Sequence, residues 1–195
     1  MGFRYPGYLC DIYTADKYLK EIPFDIHYSL DHSRRLIENA MAEIENYSRL
    51  VFIPRYDHKC YLRITGNYSG YTIEEDNGCY SIINLGYNGR RRFEVILHEL
   101  MHAIGFSHEH MRPDRDRFVK IFWENIEPEF QSQYRKLTYN EYLWNDFEMD
   151  YESIMMYSSF AYSKNGFITM VTNNGAEIGI NTKLSYSDKV KLTLL

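Results

Sequence analysis

Four of the seven histidines in this 195-residue chain lie within residues 98–116, which read HELMHAIGFSHEHMRPDRD. His98 and His102 are four positions apart, so a helix projects both imidazoles from one face, about 40° apart around its axis. Two neutral imidazole nitrogens on one rigid face suit two corners of a zinc tetrahedron. Glu99 follows His98, and in an H-E-x-x-H pattern it holds a water at the metal rather than binding the metal itself. The spacing therefore predicts a helical zinc site with a carboxylate as general base.

A glycine and a further histidine extend this pattern. Gly105 ends the predicted helix and tolerates a positive φ, so the chain can reverse direction there. His108, six residues after His102, can then approach the metal as a third ligand. Three neutral ligands leave zinc an open coordination position, where the pKa of a bound water falls to about 7. H-E-x-x-H alone also fits helical histidines with ordinary surface partners, but the added residues give the longer metzincin pattern. The residues predict a hydrolase that attacks a carbonyl group.

The composition of the chain indicates which kinds of molecule it binds. The net charge is −5, with acids and bases interspersed, which argues against nucleic acid. No stretch approaches 18 apolar residues, so we expect no membrane span. The 19 tyrosines and 11 phenylalanines suit a surface that grips peptides. The first twenty residues lack the apolar run of a signal peptide, so either the protein stays inside the cell or a leader has been removed.

The elements that must position these residues can be read from the periodicity. The first half of the chain alternates strands and helices, whereas the second half is rich in aromatics and poor in periodicity until a short final helix. Asp31 is the predicted N-cap of the first helix, and Gly105 ends the second. The predicted strands cover 22–28, 50–53, 61–65 and 80–85, and the predicted helices begin near 31, 93 and 185. This order predicts an α+β fold.

The residues just described resemble the signature of the astacin family, HExxHxxGFxHExxRxDRD. Downstream, Ser153-Ile154-Met155-Met156-Tyr157 resembles that family's Met-turn, and the resemblance extends over about residues 18–195. It implies a zinc endopeptidase with one catalytic Zn2+ ion, bound by the three histidines. It further implies that Met155 forms a hydrophobic floor beneath the metal, and that Tyr157 is a fifth ligand that can move to stabilise the oxyanion.

The same resemblance implies an architecture and a mode of substrate binding. The fold would be metzincin-like and two-lobed, with a twisted mixed sheet and two long helices in an N-lobe of about 18–105. A loop-rich C-lobe of about 106–195 would end in a helix. Substrate would lie antiparallel to an edge strand near residues 80–83, contacting Tyr80, at the place of a family tryptophan, and Ile82. Glu109 would bind the freed N-terminus through a water. We expect a secreted monomer that acts on proteins or peptides.

Departures from the family pattern concern the cysteines and one specificity position. Cys79 occupies a family cysteine position, but Arg90 stands where its partner belongs, so a Cys60–Cys79 disulfide is an open alternative. The family's I-G-Q-R reads Ile178-Gly179-Ile180-Asn181 here. The preference for acidic residues that the family arginine favours is therefore in doubt.

Residues 1–17 resemble the remnant of an inhibitory pro-segment. Tyr8-Leu9-Cys10-Asp11 resembles the family's F-x-G-D stretch, whose aspartate occupies the open zinc position in the zymogen. Either Asp11 or a Cys10 thiolate could fill that position and make the chain latent, although Cys10 could equally be a packed or surface thiol. The alternative function is an inactive zinc-bearing module that binds peptides without cleaving them. The presence of both Glu99 and Tyr157 argues against it.

Overall fold

The computed structural model describes residues 20–66, 72–76 and 80–195, and these residues form two compact units. One unit contains the described residues up to Phe106 together with Lys189–Leu195, and the other contains Ser107–Asp188. Within the described ranges, no helix is both long and apolar enough to cross a membrane. The chain is α+β, as the sequence predicts.

The first unit contains a five-stranded mixed sheet in the order β2-β1-β3-β5-β4. β1, β2, β3 and β5 are parallel to one another, and β4 pairs antiparallel with β5. The bounds are β1 Lys20–Ile26, β2 Leu50–Pro54, β3 Tyr61–Thr65, β4 Thr72–Asp76 and β5 Tyr80–Asn84. Four of these match predicted strands, and β4 was not predicted.

The expected position of the edge strand is wrong. Residues 80–84 form β5, which lies between β3 and β4 and is hydrogen-bonded on both sides. A substrate peptide therefore cannot pair with the backbone of Tyr80 or Ile82, because both edges of that strand are already used. Among the described strands, the edge on that side of the sheet is β4.

Two helices pack against each other in the first unit. α1 covers Arg34–Glu45 and α3 covers Phe93–Ala103, with the one-turn α2 at Gly86–Gly89 between them in sequence. The predicted apolar stripe of α1 is confirmed, since its buried residues are Ile37, Ala40, Met41 and Ile44. The prediction of Asp31 as N-cap is wrong, because residues 28–33 form a 3-10 helix capped by the His27 side chain, and the α-helix begins only at Arg34.

The second unit is built mainly from 3-10 turns and loops around its own apolar core. β6 (Val119–Ile121) pairs antiparallel with β7 (Met170–Thr172). The core contains mostly aliphatic and sulfur-bearing side chains with one tyrosine: Val119, Ile126, Tyr134, Met149, Met156, Met170 and Ile178. The final helix, α4, covers Tyr186–Thr193 and begins where the sequence predicts.

Candidate active site

Helix α3 presents two histidines of the predicted metal site. Its buried residues include Ile96, Leu97 and Leu100, which fix the helix against the interior of the first unit. His98 and His102 lie on the opposite, partly exposed face. Their ring centroids are 4.6 Å apart and the rings are mutually perpendicular, so both imidazoles turn toward one region. The helix geometry expected from the i, i+4 spacing is therefore present.

Gly105 ends this helix in the way that the sequence predicts. Its φ is +102°, a conformation that costs glycine little and other residues considerably more. The N–H of Gly105 donates to the carbonyl of His102 at 3.0 Å, and the N–H of Phe106 donates to Met101 at 3.0 Å. These bonds satisfy the last carbonyls of the helix as the chain turns away from it.

The third histidine follows immediately after this turn. One ring nitrogen from each of His98, His102 and His108 lies within 4.8 Å of the others, close enough for the three to hold one metal ion. The donor set is three neutral imidazoles, which suits zinc and leaves coordination positions open for water or substrate. The structure thus brings together the three ligands that the sequence predicts.

A backbone carbonyl fixes the orientation of one ligand. Nδ1 of His102 lies 2.7 Å from the carbonyl oxygen of Phe106 and donates a hydrogen bond to it. With the proton on Nδ1, the lone pair of Nε2 is left for the metal, and the ring cannot rotate freely. The sequence carries no signal for this contact, because it depends on where the turn after Gly105 places a main-chain oxygen.

Glu99 follows His98 on the same helix and is buried. Its side chain is 7% exposed, and burial raises its pKa to about 8 because the charged form loses its hydration. A raised pKa makes the ionised carboxylate a stronger base. The environment of Glu99 therefore suits the role of general base.

The second unit contributes the predicted Met-turn and Tyr157. Met155 is fully buried, and its carbonyl accepts a hydrogen bond from the N–H of Glu109 at 3.1 Å. The Tyr157 ring lies 4.4 Å from the His108 ring and stacks on His110 at 4.1 Å. Tyr157 is thus adjacent to a metal ligand, although its role as a fifth ligand remains a prediction.

Glu109 is buried in a polar cluster that sequence reasoning did not find. Its Oε1 accepts a hydrogen bond from the Tyr142 hydroxyl at 2.8 Å, and its Oε2 lies 3.9 Å from the guanidinium of Arg112 and 3.4 Å from the N–H of Asp150. Its expected partner, the N-terminus, lies outside the described residues. The sequence could have indicated Arg112 as a partner of Glu109, because the two are only three positions apart. It contains no feature that indicates Tyr142 as a partner.

The remaining predicted site residues are placed as follows. Ile82 is partly exposed on β5, and Tyr80 begins that strand. Cys60 immediately precedes β3, but Cys79 lies outside the described residues, so their disulfide stays a prediction. Cys10 and Asp11 also lie outside the described residues.

This geometry defines a class of protein. A helix carrying H-E-x-x-H, a glycine turn and a third histidine, on an α+β chain with a buried methionine turn, describes a metzincin-type metallopeptidase domain. Comparison with known proteins then identifies the family. The model of the peptidase family "Astacin" matches residues 13–195, so the chain belongs to the astacin family of zinc peptidases.

Individual relatives agree with this assignment. Zinc metalloproteinase nas-7 of Caenorhabditis elegans is 35% identical over 161 residues, which cover 77% of this chain and 40% of that protein. Blastula protease 10 of Paracentrotus lividus is 32% identical over 190 residues, covering 91% of this chain and 32% of that protein. The chain thus spans about a third to two fifths of the length of these relatives.

A solved structure shares the fold. High choriolytic enzyme 1, a hatching enzyme zinc-protease from the medaka Oryzias latipes, superposes with a TM-score of 0.82 at 27% identity. The match covers 91% of this chain and 90% of that one. The metzincin-like fold that the sequence predicts is confirmed.

Proposed function

We propose that this protein is a zinc-dependent endopeptidase that hydrolyses peptide bonds in protein or peptide substrates. The observation that carries the proposal is the convergence of His98, His102 and His108 on one point, with the buried carboxyl of Glu99 on the same helix. When bound, zinc supplies a Lewis acid that acidifies water and polarises the scissile carbonyl.

The chain's own residues supply the proton transfers. Glu99 accepts a proton from the attacking water, for which its raised pKa makes it the stronger base, and then donates that proton to the more basic departing amine. Tyr157 donates a hydrogen bond from its hydroxyl to the developing oxyanion, a role that the family resemblance and the contact of its ring with His108 support. His102 keeps its ligand nitrogen available because its other nitrogen donates to Phe106.

An edge strand of the first unit offers a place for the substrate backbone. β4 is antiparallel to β5, forms one edge of the sheet and contacts α3, the helix that carries His98 and His102. An extended peptide can add to such an edge through main-chain hydrogen bonds, which are largely independent of sequence. We therefore assign the substrate-binding edge to β4 in place of residues 80–83.

The test combines metal content with cleavage of a denatured protein such as casein. Purified protein should contain one zinc per chain and cleave casein, and Glu99→Gln should keep the zinc while losing at least about a hundredfold in kcat. Glu94→Gln is the matched control, because Glu94 lies in the first turn of α3 and pairs with Arg92. Residual activity of Glu99→Gln within tenfold of the wild type, or a chain that binds no zinc, would contradict the proposal.

We further propose that the protein acts outside the cell as a monomer, and that residues 1–17 are the remnant of an inhibitory segment. The support is the family resemblance, with Cys10 or Asp11 as the inhibitory ligand. Removing residues before about 20 should then raise activity sharply, and Cys10→Ala should do so in part. An untruncated 195-residue chain that is already as active as the truncated one would exclude this latency.

A further inference from the structure

The Met-turn is held in place by an aspartate 35 residues away. Oδ1 of Asp188 accepts a hydrogen bond from the Ser153 hydroxyl at 2.7 Å, and Oδ2 accepts one from the N–H of Ile154 at 2.9 Å. Asp188 is 0% exposed, as is Ser153. A buried carboxylate is costly unless donors compensate its charge, so these contacts are strong and leave the turn little freedom.

Hydrogen bonds continue from this contact to the metal ligand. The Ser153 oxygen accepts the N–H of Met155 at 3.0 Å, and the carbonyl of Met155 accepts the N–H of Glu109 at 3.1 Å. Glu109 is bonded covalently to His108. The backbone between Asp188 and the third histidine is thus connected through successive hydrogen bonds, all within the second unit.

Asp188 is itself fixed by the start of α4. The N–H of Ser185 donates to Oδ2 of Asp188 at 3.1 Å, and the N–H of Asp188 donates to the Ser185 hydroxyl at 2.9 Å, which is a capping box. Capping alone explains these two bonds. It does not explain why the same carboxylate also accepts from Ser153 and Ile154, which lie on a different segment.

We propose that Asp188 is a positioning residue for catalysis, which fixes the Met-turn and through it the orientation of His108 and Tyr157. The inference rests on the proposed function of the zinc site. The ring contacts of Tyr157 show what would move: its ring lies 4.4 Å from that of His108, and Tyr157 is two residues beyond Met155. A turn with more freedom would spread both side chains over several orientations, which lowers the fraction of molecules with a competent site.

Three substitutions separate the contacts. Ser153→Ala removes the hydroxyl that links Asp188 to Met155 and leaves the capping box intact. Asp188→Asn keeps the shape of the side chain. The amide oxygen can still accept from Ile154 if the NH2 group turns toward the Ser153 oxygen, so the effect of Asp188→Asn should be smaller than that of Asp188→Ala. Asp188→Ala removes both contacts and should have the largest effect.

The expected result is a loss in kcat of about tenfold for Ser153→Ala, within the range seen when residues that support a metal ligand are replaced. KM should change by less than about twofold, because no substrate contact is removed. With Co2+ in place of zinc, the visible absorption bands of the metal should shift, since they report the geometry of its ligands. The Co2+ spectrum needs no substrate and therefore tests the inference even if the proposed peptidase activity fails.

Ser159→Ala is the matched control. Ser159 is also a fully buried serine of the second unit, and its hydroxyl accepts a backbone N–H, that of Ile178 at 2.8 Å. Ser159→Ala should lower the free energy of unfolding by about as much as Ser153→Ala, without changing kcat or the Co2+ spectrum. Unchanged kcat and spectrum in Ser153→Ala, or equal changes in Ser159→Ala, would overturn the inference. If the Asp188 variants do not fold, the serine pair decides alone.

Discussion

Replacing Tyr142 by Phe should destabilise the protein through a single buried hydrogen bond. The Tyr142 hydroxyl donates to Oε1 of Glu109 at 2.8 Å, and both side chains are at most 2% exposed. Burial, together with the neighbouring carboxylate, raises the pKa of Tyr142 far above its ordinary value, so the hydroxyl remains a donor at every working pH. Two further contacts of the Glu109 carboxylate are longer, 3.4 Å to the N–H of Asp150 and 3.9 Å to Arg112.

The magnitude follows from the charge of the acceptor. A hydrogen bond to a charged group contributes about 1.5–3 kcal/mol, and phenylalanine cannot replace it. A loss of about 2 kcal/mol lowers Tm by about 4–8 °C in a chain of this size. Thermal unfolding of the zinc-loaded protein at pH 7 measures this, with Tyr139→Phe as the control, since Tyr139 is 65% exposed on the same loop. A Tm within about 1 °C of the wild type for Tyr142→Phe would refute the reasoning.

Three further predictions concern other contacts. Hydrogen bonds from Arg112 are the chief cause that lowers the pKa of Asp114 in the folded protein. The ionised Asp114 therefore adds to the free energy of unfolding in full above its unfolded pKa of about 3.9. This contribution is lost as the pH falls through the lower folded pKa. In urea unfolding of the metal-free protein, Asp114→Asn should have a lower free energy of unfolding than the wild type at pH 7. Near pH 2 the two free energies should be close to equal. Gly105→Ala should cost about 1–2 kcal/mol, because φ is +102° there; an unchanged urea midpoint would contradict this. Tyr157→Phe should retain zinc and lower kcat with Tm nearly unchanged, and a wild-type kcat would remove its oxyanion role.

The sequence predicts the metal-binding helix well because its geometry is local. Residues four apart on any α-helix share a face, and a glycine after the last turn permits reversal, so His98, His102 and Gly105 needed no tertiary information. The same holds for the apolar stripe of α1 and for the helix beginning after Ser185. In each case the residues that form the pattern, and the interactions that produce the structure, lie within one or two helical turns of each other.

Errors arose where a local pattern has two local solutions. Asp31 is a good N-cap by residue type, but the His27 side chain caps a 3-10 turn over residues 28–33 and delays the α-helix to Arg34. The free energies of these alternatives differ by little, so contacts elsewhere decide between them. The sequence alone therefore does not show which of the two starts of the helix has the lower free energy.

Sheet order and buried polar partners were decided only by the tertiary structure. Strand pairing joins segments distant in sequence. The family resemblance predicts an edge strand near residues 80–83, whereas β4 occupies that edge in the structure. Asp188 lies 35 residues from Ser153, and Tyr142 lies 33 from Glu109. The sequence determined which side chains could bind the metal, because helix geometry is set by near neighbours. The tertiary structure decided what holds them in place, because buried charges take whichever donors the folded chain brings within hydrogen-bonding distance.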